Sequence, residues 1–389
     1  MKIAVVLAAL VFSACSPTGA PVEPAPPEAT VDRTTGAKSS WQVTTIAGDL
    51  DHPWDMTALG RKRFVFTQRD RATLRLWNDG VVRPVSFPSA KIWVSGETGL
   101  MGVVADPYFS KSGTKGHNRI YVCSGWNTTG GHDIRVTSFN LDLGSRSVSH
   151  RRVVVKGIPT TSGRHGGCRL LITANGALII GTGDAADEAN PRNLSSLGGK
   201  TLRVNRHTGK PWPTNPWAKA KDPDKRLVHT FGHRNVQGLA QRGDGTVWNV
   251  EQGTGVDDEV NLLRNGGDYG YQPGAGYDES VPMTDQSLPG RQIPAKWSSG
   301  SPTLATSGAT FVPRGFGSYS GTLAVAVLKS TRVLFLTFDG EGTLVKARAP
   351  QALRSFGRIR TVVVAGDGAL LVATDNGSGN DKILRVTRS

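Results

Sequence analysis

One phrase constrains this chain more than any other, and it recurs. "NGALIIGTGD" (175–184), "DGTVWNVEQG" (244–253) and "DGALLVATDN" (367–376) share a plan: Asn/Asp-Gly, one residue, then an alternating apolar run. Each run ends in a polar or glycine-rich cluster, and "GRKRFVFTQRD" (60–70) and "YSGTLAVAVLKS" (319–330) are looser copies. Asn-Gly and Asp-Gly turn adjacent strands back on each other, because glycine enters the left-handed backbone region without a steric cost. A period of two makes each following run a half-buried strand. From Trp41 onward the chain reads as strand and turn, with helix signals nearly absent. A sandwich needs fewer strands than this length offers, whereas a propeller packs four-stranded blades radially. The expectation is therefore an all-β chain with one β-propeller domain over 41–389. Loops at one end of a propeller channel gather residues that are far apart in sequence. Asp184 and Glu251 to Thr254, all at strand ends, are thus expected to share one site.

The formal net charge of the 389 residues is +15, which raises nucleic acid as a partner. The basic residues are scattered, however, and the sharpest run is only Gly60 to Arg63. With no basic stripe interleaved with aromatics, no nucleic-acid partner is expected. The charge reads as a solvated surface that favours an acidic partner, such as an anionic cofactor or envelope polymer.

The N-terminus reads as an export signal. Met1-Lys2 precedes the apolar run Ile3 to Phe12 and then Ser13-Ala14-Cys15, over residues 1–15. The run is too short to span a bilayer comfortably. "FSAC" resembles a lipobox, which makes Cys15 a candidate lipid anchor; the alternative is ordinary cleavage near Ala14. Residues 16–40 are rich in Pro, Ser, Thr and Ala and read as a tether. The expected place is the bacterial cell envelope, with membrane contact only through the N-terminal lipid. Of the other cysteines, Cys123 and Cys168 can form a disulfide in an exported chain or remain two buried thiols. No Cys/His zinc spacing occurs.

Six clusters carry candidate chemistry: His52 to Gly60, Glu97 to Phe109, Arg164 to Leu170, Phe231 to Ala240, Val250 to Tyr271 and Gly357 to Gly377. Pro53-Trp54, Glu97-Thr98-Gly99-Leu100, His165-Gly-Gly-Cys-Arg-Leu170, Gly232-His-Arg-Asn-Val-Gln-Gly-Leu239, Glu251 through Asn261, Tyr269 to Pro273 and Arg358-Ile-Arg360 occur in that order. In this order they resemble the soluble aldose sugar dehydrogenases that use pyrroloquinoline quinone (PQQ), of the glucose/sorbosone dehydrogenase type.

The resemblance implies a six-bladed β-propeller that oxidises an aldose at its anomeric carbon to a lactone and passes electrons to an external acceptor. It makes His165 the general base, Asp184 the carboxylate that orients it, and Arg234 the cation at the reactive carbonyl region of the quinone. Asn235 and Glu97 match cofactor contacts. Lys329, Arg358 and Arg360 match cations that hold the quinone's carboxylates. Tyr277 matches a stacking or edge contact. Calcium is the implied metal: the carbonyls of Gly253 and Thr254 for an ion that bridges to the quinone, and the Glu259 side chain with the Tyr269 carbonyl for a second ion.

The chain departs from the family pattern in several places. Thr254 replaces a proline, Cys168 a glycine, Gly166 an aromatic, Tyr271-Gln272 a Trp-Pro pair and Thr361 an aspartate. Two other readings stay open at this point: a non-catalytic envelope propeller that binds carbohydrate or a protein partner, and a metal-dependent lactonase.

Overall fold

The computed structural model describes residues 30–32 and 40–389. The residues read as an export signal, and most of those read as a tether, lie outside the described residues. Among the described residues the chain is all-β, with only short 3-10 turns between strands.

Six antiparallel sheets form six blades. Blade 1 comprises Pro53–Gly60, Arg63–Gln68, Thr73–Asn78 and Val81–Pro84. Blade 2 comprises Leu100–Ala105, Arg119–Thr128, Gly131–Asp142 and Ser147–Ile158. Blade 3 comprises Gly167–Ile172, Ala177–Thr182, Lys200–Asn205 and Val228–Phe231. Blade 4 comprises Val236–Gln241, Val247–Glu251, Glu259–Leu262 and Trp297–Ser298. Blade 5 comprises Thr306–Phe311, Leu323–Val327, Arg332–Phe338 and Leu344–Pro350. In blade 6, Ile359–Val364, Leu370–Thr374 and Asp381–Arg388 are joined by Trp41–Leu50 as the outermost strand. The strand Trp41–Leu50 thus closes the ring by completing the blade that the last three strands begin. Thr30–Asp32, within the stretch expected to be tether, pairs in parallel with Arg348 to Pro350 of blade 5.

The recurring phrase is the turn from the inner strand to the second strand of a blade. At Asn175-Gly176, Asp244-Gly245 and Asp367-Gly368 the hydrogen bonding is the same: Gly176, Gly245 and Gly368 donate to the carbonyls of Thr173, Arg242 and Ala365. The Asn or Asp side chain then accepts the amide two residues on. All three glycines have φ of +86 to +90°, the left-handed region that a tight turn with a bulge requires. The looser copies lie at the inner-to-second connections of blades 1 and 5, a short turn in blade 1 and residues 312–322 in blade 5. Blade 2 makes this connection through 106–118, which contains no Asn/Asp-Gly pair.

The core is divided among the blade interfaces. Leu178 and Ile180 pack with Tyr121, Cys123, Ile134 and Val136 of blade 2. Ile179, the residue between them, packs toward Val236 and Leu239 of blade 4. Alternation along one strand therefore serves two interfaces, as the pleat requires. Inside the channel, Arg169 lies 4.1 Å over the Trp54 ring, 2.6 Å from Asp55 Oδ1, and donates to the Gln237 carbonyl at 2.7 Å. This buried pair ties together the inner strands of blades 1, 3 and 4 below the site.

Candidate active site

Inner and second strands are antiparallel, so the end where one begins is the end where the other finishes. Each blade therefore delivers two segments to that end of the channel. Blade 3 delivers His165, just ahead of Gly167, and Asp184, just past Thr182. Blade 4 delivers Arg234 and Asn235 ahead of Val236, and Gln252 to Thr254 after Glu251. Blade 2 brings Glu97, blade 5 Lys329, and blade 6 Arg358 with Asp375. The strand-end clusters read from the sequence meet at one mouth.

His165 and Asp184 form the centre. His165 Nδ1 lies 2.8 Å from Asp184 Oδ1 and 2.9 Å from the Tyr277 hydroxyl. That hydroxyl donates to Asp184 Oδ2 at 2.6 Å, and Asp184 Oδ1 also accepts the Ala186 amide at 2.8 Å. With its carboxylate partner on Nδ1, the imidazole holds its proton there. Nε2 is left as the basic nitrogen, and it has no hydrogen-bond partner among the described residues. Both residues are buried. Burial, with Asp184 beside it, pushes the Tyr277 phenol far above its ordinary pKa, so it stays a donor. The resemblance implies a stacking or edge contact for Tyr277; its hydroxyl grips the His165–Asp184 pair as well.

The glycines around His165 answer to close packing of backbones. A methyl group on Gly183 would lie 1.7 Å from the His165 carbonyl oxygen, and one on Gly167 would lie 2.3 Å from the Gly183 nitrogen. Only glycine lets the two strand ends approach closely enough for His165 to meet Asp184.

A chain of polar contacts leads from this pair to most of the other expected residues. Glu97 Oε2 accepts the His165 amide at 3.1 Å and the Asn235 side-chain amide at 3.4 Å. Asn235 Oδ1 accepts from Gln237 Nε2 at 3.1 Å, and Gln237 Oε1 accepts from Arg360 at 3.4 Å. Arg360 pairs with Asp375 Oδ2 at 2.5 Å, and Arg358 approaches the same oxygen at 3.8 Å. Arg360 is buried while Arg358 is nearly half exposed, so the two cations sit at different depths. Lys329 stands exposed at the same mouth, and its ammonium has no partner among the described residues.

Arg234 donates through Nε to Glu279 Oε1 at 2.8 Å and through Nη1 to the Gln252 carbonyl at 3.1 Å. Burial opposes its charge, but Glu279 holds its pKa above the ordinary value. The same pairing holds the Glu279 carboxyl below the usual carboxylate range, against the pull of burial. Arg164 reaches the other oxygen of Glu279 at 3.2 Å.

Residues expected to hold calcium lie alongside. The carbonyls of Gly253 and Thr254 accept no hydrogen bond among the described residues, and their turn is pinned by Asp258, which accepts the Gly253 amide at 3.0 Å. Glu259 is buried against Glu251. Burial, then the Glu251 charge, pushes its carboxyl well above the usual carboxylate range. Tyr269 stacks on His233 with ring centroids 4.6 Å apart, and its carbonyl is likewise unpartnered among the described residues. Free carbonyls beside buried acids form the hard-oxygen donor set that calcium prefers. A separate cluster of possible ligands, Asp51, His52 and Asp381, has its atoms within 4.8 Å of one another. Its carboxylates are already taken by Arg71 and by the amides of His52, Asn376 and Gly377.

Sequence reasoning missed Glu279, Asp375 and Asp258. Asp375 ends the strand of the third recurring phrase as Asp184 ends that of the first, so a signal for it existed. Glu279 sits in an irregular loop and left none.

An all-β ring of six blades, with a carboxylate-held histidine and a set of cations at one mouth, defines a propeller enzyme site for a small ligand. The profile described as Glucose / Sorbosone dehydrogenase matches residues 50–385, and the chain belongs to that family. Aldose sugar dehydrogenase YliI of Escherichia coli K12 is 28% identical over 366 residues, covering 90% of this chain and 94% of that protein. Quinoprotein glucose dehydrogenase B of Acinetobacter calcoaceticus is 38% identical over 92 residues, 24% of this chain and 18% of that one. The PQQ-bound aldose sugar dehydrogenase of Streptomyces coelicolor superposes with a TM-score of 0.74 at 24% identity, covering 90% of this chain and 98% of that chain, which speaks to the fold.

Proposed function

We propose that this chain is a quinoprotein sugar dehydrogenase that oxidises the anomeric hydroxyl of an aldose to the lactone, with PQQ as bound cofactor and an external electron acceptor. The observation that carries this reading is the His165–Asp184–Tyr277 arrangement, with His165 and Asp184 buried and the imidazole Nε2 without a partner among the described residues.

Nε2 takes the proton from the anomeric hydroxyl. Asp184 fixes the imidazole tautomer and stabilises the imidazolium that results, and the Tyr277 hydroxyl keeps Asp184 in place. Burial keeps bulk water from competing for the proton. When bound, PQQ supplies the two-electron acceptor for the hydride that leaves the anomeric carbon.

The residues present fit that group. It carries several carboxylates, and Lys329 and Arg358 offer uncommitted or partly committed cations at the rim. Arg360 lies deeper, and Arg234 stands beside the base with its charge secured by Glu279. Asn235 and Glu97 complete the lining. The Gly253 and Thr254 carbonyls would hold calcium next to the quinone, and Glu259 with the Tyr269 carbonyl a second calcium ion. On the strength of residues 1–15, we also propose export, with a lipid on Cys15 and the propeller outside the cytoplasm.

The test is reconstitution. Purified protein given PQQ and calcium is expected to reduce a dye with a panel of aldoses, and the protein without quinone is expected to be inert. Lactone hydrolysis without quinone, or no dye reduction with any aldose, would overturn the reading.

A further inference from the structure

The chemistry proposed above does not use the disulfide between Cys123 and Cys168. Cys123 lies in the second strand of blade 2 and Cys168 in the inner strand of blade 3, so the bond crosses the core between two blades. Both residues are buried.

Cys168 is three residues from His165, and the backbone between them is unusual. His165 has φ +48°, Gly167 +56° and Cys168 +77°. The sheet register slips between Gly167 and Arg169, so a bulge begins where His165 must be aimed. Glycine holds a left-handed conformation freely; a residue with a Cβ holds it only when its surroundings impose it.

Those surroundings can be named. The Cys168 carbonyl packs so closely on Gly102 of blade 2 that a methyl group there would lie 2.2 Å from it. The Cys168 sulfur is bonded into the same blade. On the other side, the His165 carbonyl and Gly167 lie against Thr182 and Gly183, the two residues that lead to Asp184. The cross-link thus fixes one end of a four-residue segment, and the His165–Asp184 contact is the other end.

We propose that the Cys123–Cys168 disulfide is a positioning cross-link. It holds residue 168 in the left-handed conformation that seats His165 against Asp184, doing through a covalent tie what a glycine at 168 would do through freedom of φ. The proposal rests on the reading of His165 as the base, and its test has a readout that does not depend on turnover.

Three full-length forms decide it: the parent, Cys123→Ala, and Cys123→Ala with Cys168→Gly. The first readout is the downfield proton NMR resonance of the His165 Nδ1–H in protein without quinone, assigned by its absence in His165→Gln. The second is kcat against KM after loading with PQQ and calcium. Cys123→Ala is expected to lose or broaden the resonance and to drop kcat about tenfold with KM within about twofold, the pattern of a misplaced catalytic group. The double variant is expected to recover the resonance and most of kcat, although its melting temperature stays below the parent's. If Cys123→Ala does not fold and the double variant does, the proposal is supported by the same logic.

An unchanged resonance and kcat in Cys123→Ala would make the bond merely structural and overturn the proposal. So would a double variant no better than Cys123→Ala. If no form oxidises any sugar, the functional reading fails, while the resonance pattern still decides the positioning role.

Discussion

Two histidine–carboxylate pairs stand at the same mouth in neighbouring blades, built to one plan. In blade 3, His165 precedes the inner strand and meets Asp184 beyond the second strand at 2.8 Å. In blade 4, His233 precedes the inner strand and meets Glu251, the last residue of the second strand, at 2.9 Å. Each uses Nδ1. The pairs differ at the other nitrogen. His233 Nε2 is bonded to Thr230 Oγ1 at 2.8 Å, its ring is stacked on Tyr269, and it is fully buried. His165 Nε2 has no partner among the described residues. Glu251 also accepts from Asn261 Nδ2 and the Arg234 amide, so the blade 4 pair is a brace that fixes Arg234. One motif thus yields a base where the far nitrogen is free and a strut where it is capped.

His165→Ala should separate the two most sharply. It is expected to lower kcat by about 10²–10⁴ with little change in melting temperature, measured by dye reduction and by thermal unfolding. His233→Ala should do the reverse. It removes a hydrogen bond to the buried Glu251 carboxylate and the ring packed on Tyr269, which together cost about 3 kcal/mol of stability in denaturant unfolding. If His233→Ala folds as well as the parent and loses turnover like His165→Ala, the contrast is wrong.

His229, in the outer strand of blade 3, extends the comparison to a histidine with no carboxylate. Burial, helped by the Arg203 charge, pushes its pKa down to about 3. Between that value and its ordinary 6.5 the unfolded chain binds the proton and the folded one does not, so stability falls as pH falls. The loss runs from about pH 6.5 down to about pH 3 and ends there. His229→Gln should flatten the acid side of the stability profile relative to the parent; an unchanged profile would place the buried imidazole elsewhere. The smallest effect belongs to Tyr277→Phe, which removes the hydroxyl from the blade 3 pair. It is expected to lower kcat by roughly fivefold, about 1 kcal/mol, with the aldose KM nearly unchanged. A large rise in KM would instead make Tyr277 a sugar contact.

The difference between the two pairs was only half visible in the sequence. The Asn/Asp-Gly phrases exposed the inner-to-second turns because a turn is a local event, written in adjacent residues. His165 stood out among glycines, and those glycines prove to mark the approach of two backbones at Gly167 and Gly183. His233 lies in a motif just as distinctive, yet its role depends on what caps Nε2, and only the fold matches Thr230 to it. The pairing of Cys123 with Cys168 stayed open for the same reason: it crosses between blades, at a sequence separation of 45. Glu279 reaches Arg234 from a loop with no periodicity to read. Local chemistry was legible, whereas partnership across blades needed the fold.

The seam in blade 6 has a practical consequence. Trp41 pairs with Arg388, and the Ser389 amide donates to the Ser40 carbonyl at 2.9 Å, so the strand that enters the ring and the strand that leaves it meet at the end away from His165. Attaching the chain to a bead, an electrode or a fusion partner through Ser389 leaves the catalytic opening pointing outward. The same seam means that the ring cannot shut until residues 359–388 have been made, since they supply three of the four strands in its final blade.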